Sequence, residues 1–355
     1  MVRERDADRP QVTNSRLAEL LAAEAENHAD HRARALRRAA HRALLWPEEA
    51  ERILAAGRPL TELPAVGPWV AGMIEGWIDN PPAASTEVPP SNRGFISMAE
   101  ALRALEAAPE YRLGKADLQV HTTWSDGEEP LEVMASELAA RGYAYAAITD
   151  HSQGLKIANG MDERTLETQW PEIEAASESR DIELLKGLEM NLSPEGEGDM
   201  DPAVLAKLDL VLGAFHSQLR VKEDQTDRYL AALANPTVDV LAHPVARMYN
   251  RRPGLTADWP RVFAAAAERG VALEIDCTVA RQDLPVDLLK VARDSGAWFS
   301  MGTDAHGIAE LDFMPLGLGA AAMAGISPDR ILTFRPAEEV RGWVRERRAR
   351  AAAGS

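Results

Sequence analysis

ADLQVHTTWSDGEEPLEVMASELAARGYAYAAITDH, residues 116–151, decides the fold. Its two ends, ADLQVH (116–121) and YAAITDH (145–151), are apolar runs too short for helices, and PLEVMASELAARG between them has apolar residues at helical spacing. That is strand, helix, strand, with each strand ending on a histidine. Outward from it the grain repeats: ELLKGLE (183–189), LDLVLGAFH (208–216), VDVLAHP (238–244), VALEID (271–276) and AWFSMGTDAH (297–306) are further short runs, and WPRVFAAAAERG before the sixth ends in Gly270 as a helix stop. Strands alternating with helices give a parallel sheet with helices outside, an α/β layout. Seven such units in about 190 residues suit a (β/α) barrel.

Five of the eight histidines, His121, His151, His216, His243 and His306, lie at or just past a strand end, as do Glu189 and Asp304. In a barrel all strand C-termini open on one face, so these seven residues converge there. Seven converging buried polar groups need a reason, because burying them unpaired is costly. Imidazoles and carboxylates without thiolates suit Zn, Mn or Fe, and their number exceeds what one ion can use, so two or three divalent ions are expected. Such a cluster activates a water and binds a phosphoryl oxygen, the logic of phosphoester hydrolysis. Positive groups after two of the histidines, Arg220 and Lys222 after His216 and Arg247, Arg251 and Arg252 after His243, are candidates for binding substrate phosphates, Arg247 first among them. Cys277, the sole cysteine, reads as a packed residue and cannot form an internal disulfide.

DLQVHTTWSDG, ITDHS, GLEMN, GAFHS, LAHP and GTDAH stand in the order of the metal motifs of the PHP (polymerase and histidinol phosphatase) superfamily, which residues 115–345 resemble. ADWPRVFAAAAERGVALEID and DLPVDLL resemble in particular the C-terminal PHP domain of bacterial family X DNA polymerases. The resemblance implies a distorted seven-stranded barrel with a trinuclear site. His121, Glu189 and Asp304 would hold one ion, Asp126, His151 and His306 a second, and His216, His243 and a bridging Glu189 the third. Asp304, Glu189 and His306 are also the expected catalytic residues. The pattern ordinarily opens His-x-His and here reads Gln119-Val-His121, so Gln119 is the expected weak ligand of the first ion.

Residues 14–80 read as an all-helical domain, and 81–114 as a linker opened by the proline-rich stretch DNPPAASTEVPPSNRG (79–94), with a boundary near residue 85. WPEEAERILAAG is expected to start a helix with Pro47 in its first turn. LTELPAVGPWVAGMIEGWI (60–78) resembles a helix-hairpin-helix, with Leu60 and Leu63 on one helix, a turn at 64–68 and Val70, Ala71 and Ile74 on the next. Ala65-Val66-Gly67 replaces the usual Gly-h-Gly turn, and Trp69 stands where a basic residue is common. His31 to Arg42 holds five arginines and no acid. The resemblance to the DNA-end-binding domain of the same polymerases makes Val66, Gly67, Trp69, Arg34 and Arg38 the expected DNA contacts; His28, His31 and His41 read as surface residues. About 30 residues separate the two modules, too few for the nucleotidyl-transfer palm of those polymerases.

With 39 basic against 56 acidic residues, a net charge of −17 and 46% apolar residues, the chain is an ordinary globular protein and not one that coats nucleic acid. It contains no secretory leader and no run of ~18 apolar residues, so a cytoplasmic location is expected. The reading is a metal-dependent hydrolase of phosphoester bonds at DNA ends, a 3′–5′ exonuclease or 3′-end-processing enzyme in DNA repair. Its rivals are a small-molecule phosphatase of the histidinol-phosphate or nucleotide type and a non-catalytic DNA-binding accessory protein.

Overall fold

The computed structural model describes residues 11–82, 87–114 and 116–353. These fall into two compact units, one spanning the N-terminal residues to Ala107 together with Arg247–Pro253, the other Ala108–Ala246 and Gly254 onward.

The first unit is helical: α1 (Asn14–Ala25), α2 (His31–Ala43), α3 (Ala50–Ala55), α4 (Pro68–Asp79) and α5 (Met98–Ala107). Pro47 precedes α3 rather than sitting in its first turn, since Glu49 is the N-cap. Asn14 ties α1 to that start, accepting from Ala50 N and donating to Glu48 O, while its own N–H donates to the buried Glu49 carboxylate. The expected linker 81–114 is a linker only in part, because it contains α5. Ala99, Ala101 and Leu105 of α5 are buried, and Ser97 and Glu100 close its first turn reciprocally, so this stretch has both the apolar face and the cap of a true helix. The boundary near residue 85 lies outside the described residues.

The second unit holds seven strands: β1 (Ala116–Val120), β2 (Tyr145–Ile148), β3 (Glu183–Asn191), β4 (Leu210–Ala214), β5 (Val240–Leu241), β6 (Ala272–Asp276) and β7 (Phe299–Gly302). They pair in sequence order and all in parallel. Between them run α6 (Leu131–Ala140), α7 (Glu163–Ser179), the single turn α8 (Pro202–Leu205), α9 (Thr226–Ala234), α10 (Trp259–Arg269) and α11 (Val286–Asp294), followed by α12 (Met314–Ala324) and α13 (Ala337–Ala353). This is the expected distorted (β/α) barrel.

Small residues such as Ala116, Ala147, Ala214, Ala242 and Ala272 make the inner cluster narrow, and Val340, Trp343 and Val344 of α13 pack into it. Arg347 and Arg348 anchor that helix on the buried Asp239. The outer faces, Val120, Ile148 and Leu184 among them, pack on α6 and α7. The sheet is nearly closed by a bridge from Val120 to Ala305, with His121 N donating to Ala305 O at 2.9 Å. Asp117 reinforces this seam, for its carboxylate accepts from Thr303 N, Thr303 Oγ1 and Gln119 N. Among the described residues no helix is long and apolar enough to cross a membrane.

Asp117→Ala leaves two backbone N–H groups and a hydroxyl buried without a partner, and is expected to cost about 3 kcal/mol in urea unfolding. Asp117→Asn keeps an acceptor for both N–H groups and costs less. Burial pushes the Asp117 carboxyl from 3.8 up to about 6, so its ionised form is the disfavoured one when folded. The folded state then binds the extra proton, and wild-type stability relative to Asp117→Asn is expected to fall as pH rises through that window.

Candidate metal centre

The candidate ligand side chains lie at or near strand ends. His121 and Asp126 follow β1, His151 follows β2, Glu189 lies within β3, His216 follows β4, His243 follows β5, and Asp304 and His306 follow β7. Three groups of ligand atoms converge, each within 4.8 Å: His121 with Glu189 and Asp304; His121, Asp126, His151 and His306; and His151, Glu189 and His216. Glu189 is the hub. Its Oε2 lies 3.3 Å from His121 Nε2 and 3.2 Å from His151 Nδ1, and its Oε1 lies 3.0 Å from His216 Nε2 and 2.9 Å from His243 Nε2. Asp304 Oδ1 lies 3.1 Å from His121 Nε2, and Asp126 Oδ1 lies 3.3 Å from His306 Nε2.

The residues fit a multinuclear metal centre on two counts. Donors are imidazoles and carboxylates only, as hard or borderline divalent ions prefer. Further, His121 Nε2, His151 Nδ1, His216 Nε2, Glu189 Oε2 and Asp304 Oδ1 are buried with no hydrogen-bond partner, although all face one another. Buried polar atoms are otherwise almost always paired, so a set of orphaned lone pairs aimed at common points calls for cations. Gln119 belongs to the same pattern: it is fully buried, and neither of its amide atoms has a partner. Its Cβ lies against Gly302 of β7, where a side chain would come within 2.5 Å of it.

A second layer fixes the ligands. Asn191 Oδ1 lies 3.2 Å from His216 Nδ1, leaving Nε2 to face Glu189. Asp150 accepts from Thr122 N, Thr122 Oγ1, Ser125 Oγ and Gln169 Nε2, which sets the loop carrying Asp126. Backbone strain gathers here too: His243 and Asp304 have φ of 27° and 51°.

Arg281, absent from the sequence reading, enters from the β6–α11 loop with Nη2 3.4 Å from Asp304 Oδ2. Burial would raise the Asp304 carboxyl, but Arg281 and the neighbouring imidazoles hold it well below the usual range. A lone arginine 23 residues before Asp304 carries no spacing signal, which is why the chain alone did not disclose it. Of the expected phosphate binders, Arg220 and Lys222 are exposed on the β4–α9 loop after His216. Arg247 and Arg252 fold with the first unit. Arg247 is buried, stacked 3.9 Å from the Phe95 ring and donating to the Gly94 carbonyl, so its donors are committed to packing. Cys277 is buried, as expected of a packed residue.

In the first unit, α4 begins at Pro68, and Leu60 lies not on a helix but on a single 3-10 turn, Leu60–Glu62, which Leu63 caps. Val70, Ala71 and Ile74 are buried on α4. Ala65 carries the left-handed conformation at φ 67°, and Gly67 is the N-cap at φ −86° with open space at its Cβ position. The position that favours glycine is therefore Ala65 and not Gly67. Val66 is buried and its N–H donates to Leu63 O, which leaves no side chain of this turn residue for a ligand. Trp69 is 42% exposed, with the Arg32 guanidinium 5.6 Å from its ring and His28 packed edge-on. Arg34, Arg38 and His31 are exposed, while His28 and His41 are half-buried.

Residues 117–277 match the model of the PHP domain. Two kinds of protein are among the chain's relatives. The "DNA polymerase/3'-5' exonuclease PolX" of Bacillus subtilis is 38% identical over 233 residues, 65% of this chain and 41% of the relative, so the chain spans less than half of that protein. The "Probable phosphatase YcdX" of Escherichia coli is 26% identical over 231 residues, 62% of this chain and 90% of the relative. Among solved structures, the histidinol phosphate phosphatase of Lactococcus lactis, complexed with zinc, L-histidinol and phosphate, aligns with a TM-score of 0.43 at 17% identity over 60% of this chain and 95% of that one.

Metal loading is expected to release protons. Burial pushes His151 down to about 3 and lowers His243, so both are neutral and ready to ligate at pH 7. Burial opposes charge on His121 and His306 too, yet the carboxylates of Asp304 and Glu189 beside the first and Asp126 beside the second raise them. Protons therefore compete at those two imidazoles, and apparent metal affinity falls as pH drops below 7. Calorimetric titration in buffers of different ionisation enthalpy measures the proton count; no release at pH 7 contradicts the assignment.

Proposed function

We propose that the protein is a metal-dependent phosphoesterase that hydrolyses DNA from its 3′ end. One observation carries the hydrolytic reading: orphaned ligand atoms from strand ends around the barrel gather in adjoining groups, two of which share the buried carboxylate of Glu189. Ions held there would supply an activated water and charge neutralisation for a phosphoryl oxygen. The chain's own groups do the rest. His121, Glu189 and Asp304 form one ligand set, Asp126, His151 and His306 a second, and His216 with His243 a third that shares Glu189. Gln119 is the proposed weak ligand of the first. Arg281 holds Asp304 ionised and places a positive charge at the edge of the site for substrate oxygens. Arg220 and Lys222, on the exposed loop beside His216, are proposed to meet the phosphate backbone further out.

DNA as substrate is supported by the likeness to the Bacillus protein and by the first unit. There α2 presents Arg34 and Arg38 outward, and no side chain caps the start of α4, so its first N–H groups remain for a phosphate oxygen. Gly67 and Trp69 lie at that start. A second reading, a small-molecule phosphatase, is favoured by the coverage of the YcdX relative, which the barrel alone nearly fills, and by the net charge of −17. The accessory-protein reading rested on Gln119 and has no further observation behind it.

Assay of labelled single-stranded DNA against free nucleotides and histidinol phosphate, with Mn and Zn compared, separates the two. Mononucleotide release from the 3′ end is expected, reduced about a hundredfold or more by His243→Ala, which removes a ligand outright. Arg34→Glu with Arg38→Glu should raise KM on DNA severalfold while leaving hydrolysis of a small chromogenic phosphodiester unchanged. Preference for histidinol phosphate or nucleotides, with no effect of the arginine changes, moves the assignment to the phosphatase.

A further inference from the structure

His216 and His243 both lie outside the ladder of the sheet. β5 has only two residues, and each histidine lies two residues beyond the end of its strand, so ladder hydrogen bonds fix neither. His243 in addition adopts φ 27°, a conformation that persists only where the surroundings enforce it. Two consecutive residues of α9 supply such enforcement. Arg228 Nη2 donates to Ser217 O at 2.9 Å, and its guanidinium lies 4.0 Å from the Phe215 ring, so it grips the residues on both sides of His216. Tyr229 Oη donates to Pro244 O, the residue after His243, while its ring packs edge-on against Phe215 at 5.7 Å.

Arg228 is unusual on physical grounds. It is 6% exposed, its Nε and Nη1 have no hydrogen-bond partner, and among the described residues no carboxylate oxygen is within ion-pair distance. Two buried idle donors on a cation that lacks an ion pair weaken folding, even with the Phe215 ring beneath it and Glu195 attracting it beyond ion-pair distance. Such a group is retained where another property depends on it.

We propose that α9 is a clamp on the third ligand pair: Arg228 and Tyr229 are positioning residues that hold His216 and His243 at the separation a shared ion requires, and Arg228 does so at a cost in stability. The inference rests on the metal reading above and adds how one part of that site is held in shape. Because the two grips meet at Phe215, a shift at either histidine is resisted by both residues.

The test uses the full chain as wild type, Tyr229→Phe and Arg228→Met, with metal content by elemental analysis and Zn affinities from competition with a chromophoric chelator. Tyr229→Phe keeps the ring and removes only the hydroxyl. Each variant is expected to weaken one ion at least tenfold, as loss of a supporting contact to a ligand does, and to leave the others within twofold. Metal-free Arg228→Met is expected to unfold at the same or higher urea concentration than metal-free wild type, an outcome that a merely structural arginine would not give. All affinities within twofold of wild type in Tyr229→Phe, or a lowered urea midpoint in metal-free Arg228→Met, overturns the clamp. A wild type that retains no metal overturns the metal reading itself; one that binds metal exactly as both variants do overturns the clamp alone.

Discussion

One buried carboxylate facing four imidazoles is the constraint on which the barrel depends. Glu189, itself buried, lies within 3.3 Å of a nitrogen of His121, His151, His216 and His243. Burial alone would drive its carboxyl neutral, but the surrounding imidazoles hold it well below the usual range. Such a knot of polar groups is tolerable only when charges and lone pairs are matched, so the strand ends must meet within a few tenths of an ångström. The narrow inner layer of alanines, the Asp117 seam between β1 and β7 and the α13 plug all serve that requirement, because a wider or looser barrel would part the ligands.

Rigidity is concentrated where the ligands sit. Asp150 satisfies four donors around the loop after β1, and Ser152 Oγ accepts from Asn191 N while donating to Asp199, which links the loop after His151 to the strand carrying Glu189. Left-handed backbone at Gln218, His243, Ala246, Gln282 and Asp304 occurs in loops after β4, β5, β6 and β7. Strain of this kind is stable only when neighbouring contacts over-determine it, and the hydrogen bonds of Asp283 to Val245 N and Ala246 N are an example. The fold thus spends stability in its ligand-bearing loops and recovers it in the apolar layers beneath.

The helical unit shows the same economy in a different place. Ala65 occupies a left-handed turn position that glycine would fill with less strain, and the turn survives because Leu60, Leu63, Val66 and Val70 around it are buried together. Trp69 remains at the surface with two nitrogen-bearing neighbours, Arg32 and His28, rather than joining that core.

Seven strands, their order and the residues at their ends were legible in the chain, because a buried parallel strand must be a short apolar run and a ligand must follow it where the barrel opens. Histidines and carboxylates at those positions are rare enough to stand out. Gln119 was legible as a departure only through the resemblance, whose pattern places a histidine there. What tertiary structure decided was partnership. His121 and His151 each join two ligand groups rather than one, since a ring nitrogen's reach depends on barrel radius, which no local pattern encodes. Arg281 and the α9 pair act through distance in space, and arginine or tyrosine on a helix has no periodic signature to separate it from a solvated one. Arg247 and α5 show the converse: nearness in sequence to His243 suggested a phosphate ligand, and a proline-rich stretch suggested a plain linker, yet packing claimed both for the helical core because an apolar face and a stacked guanidinium are buried wherever a surface fits them.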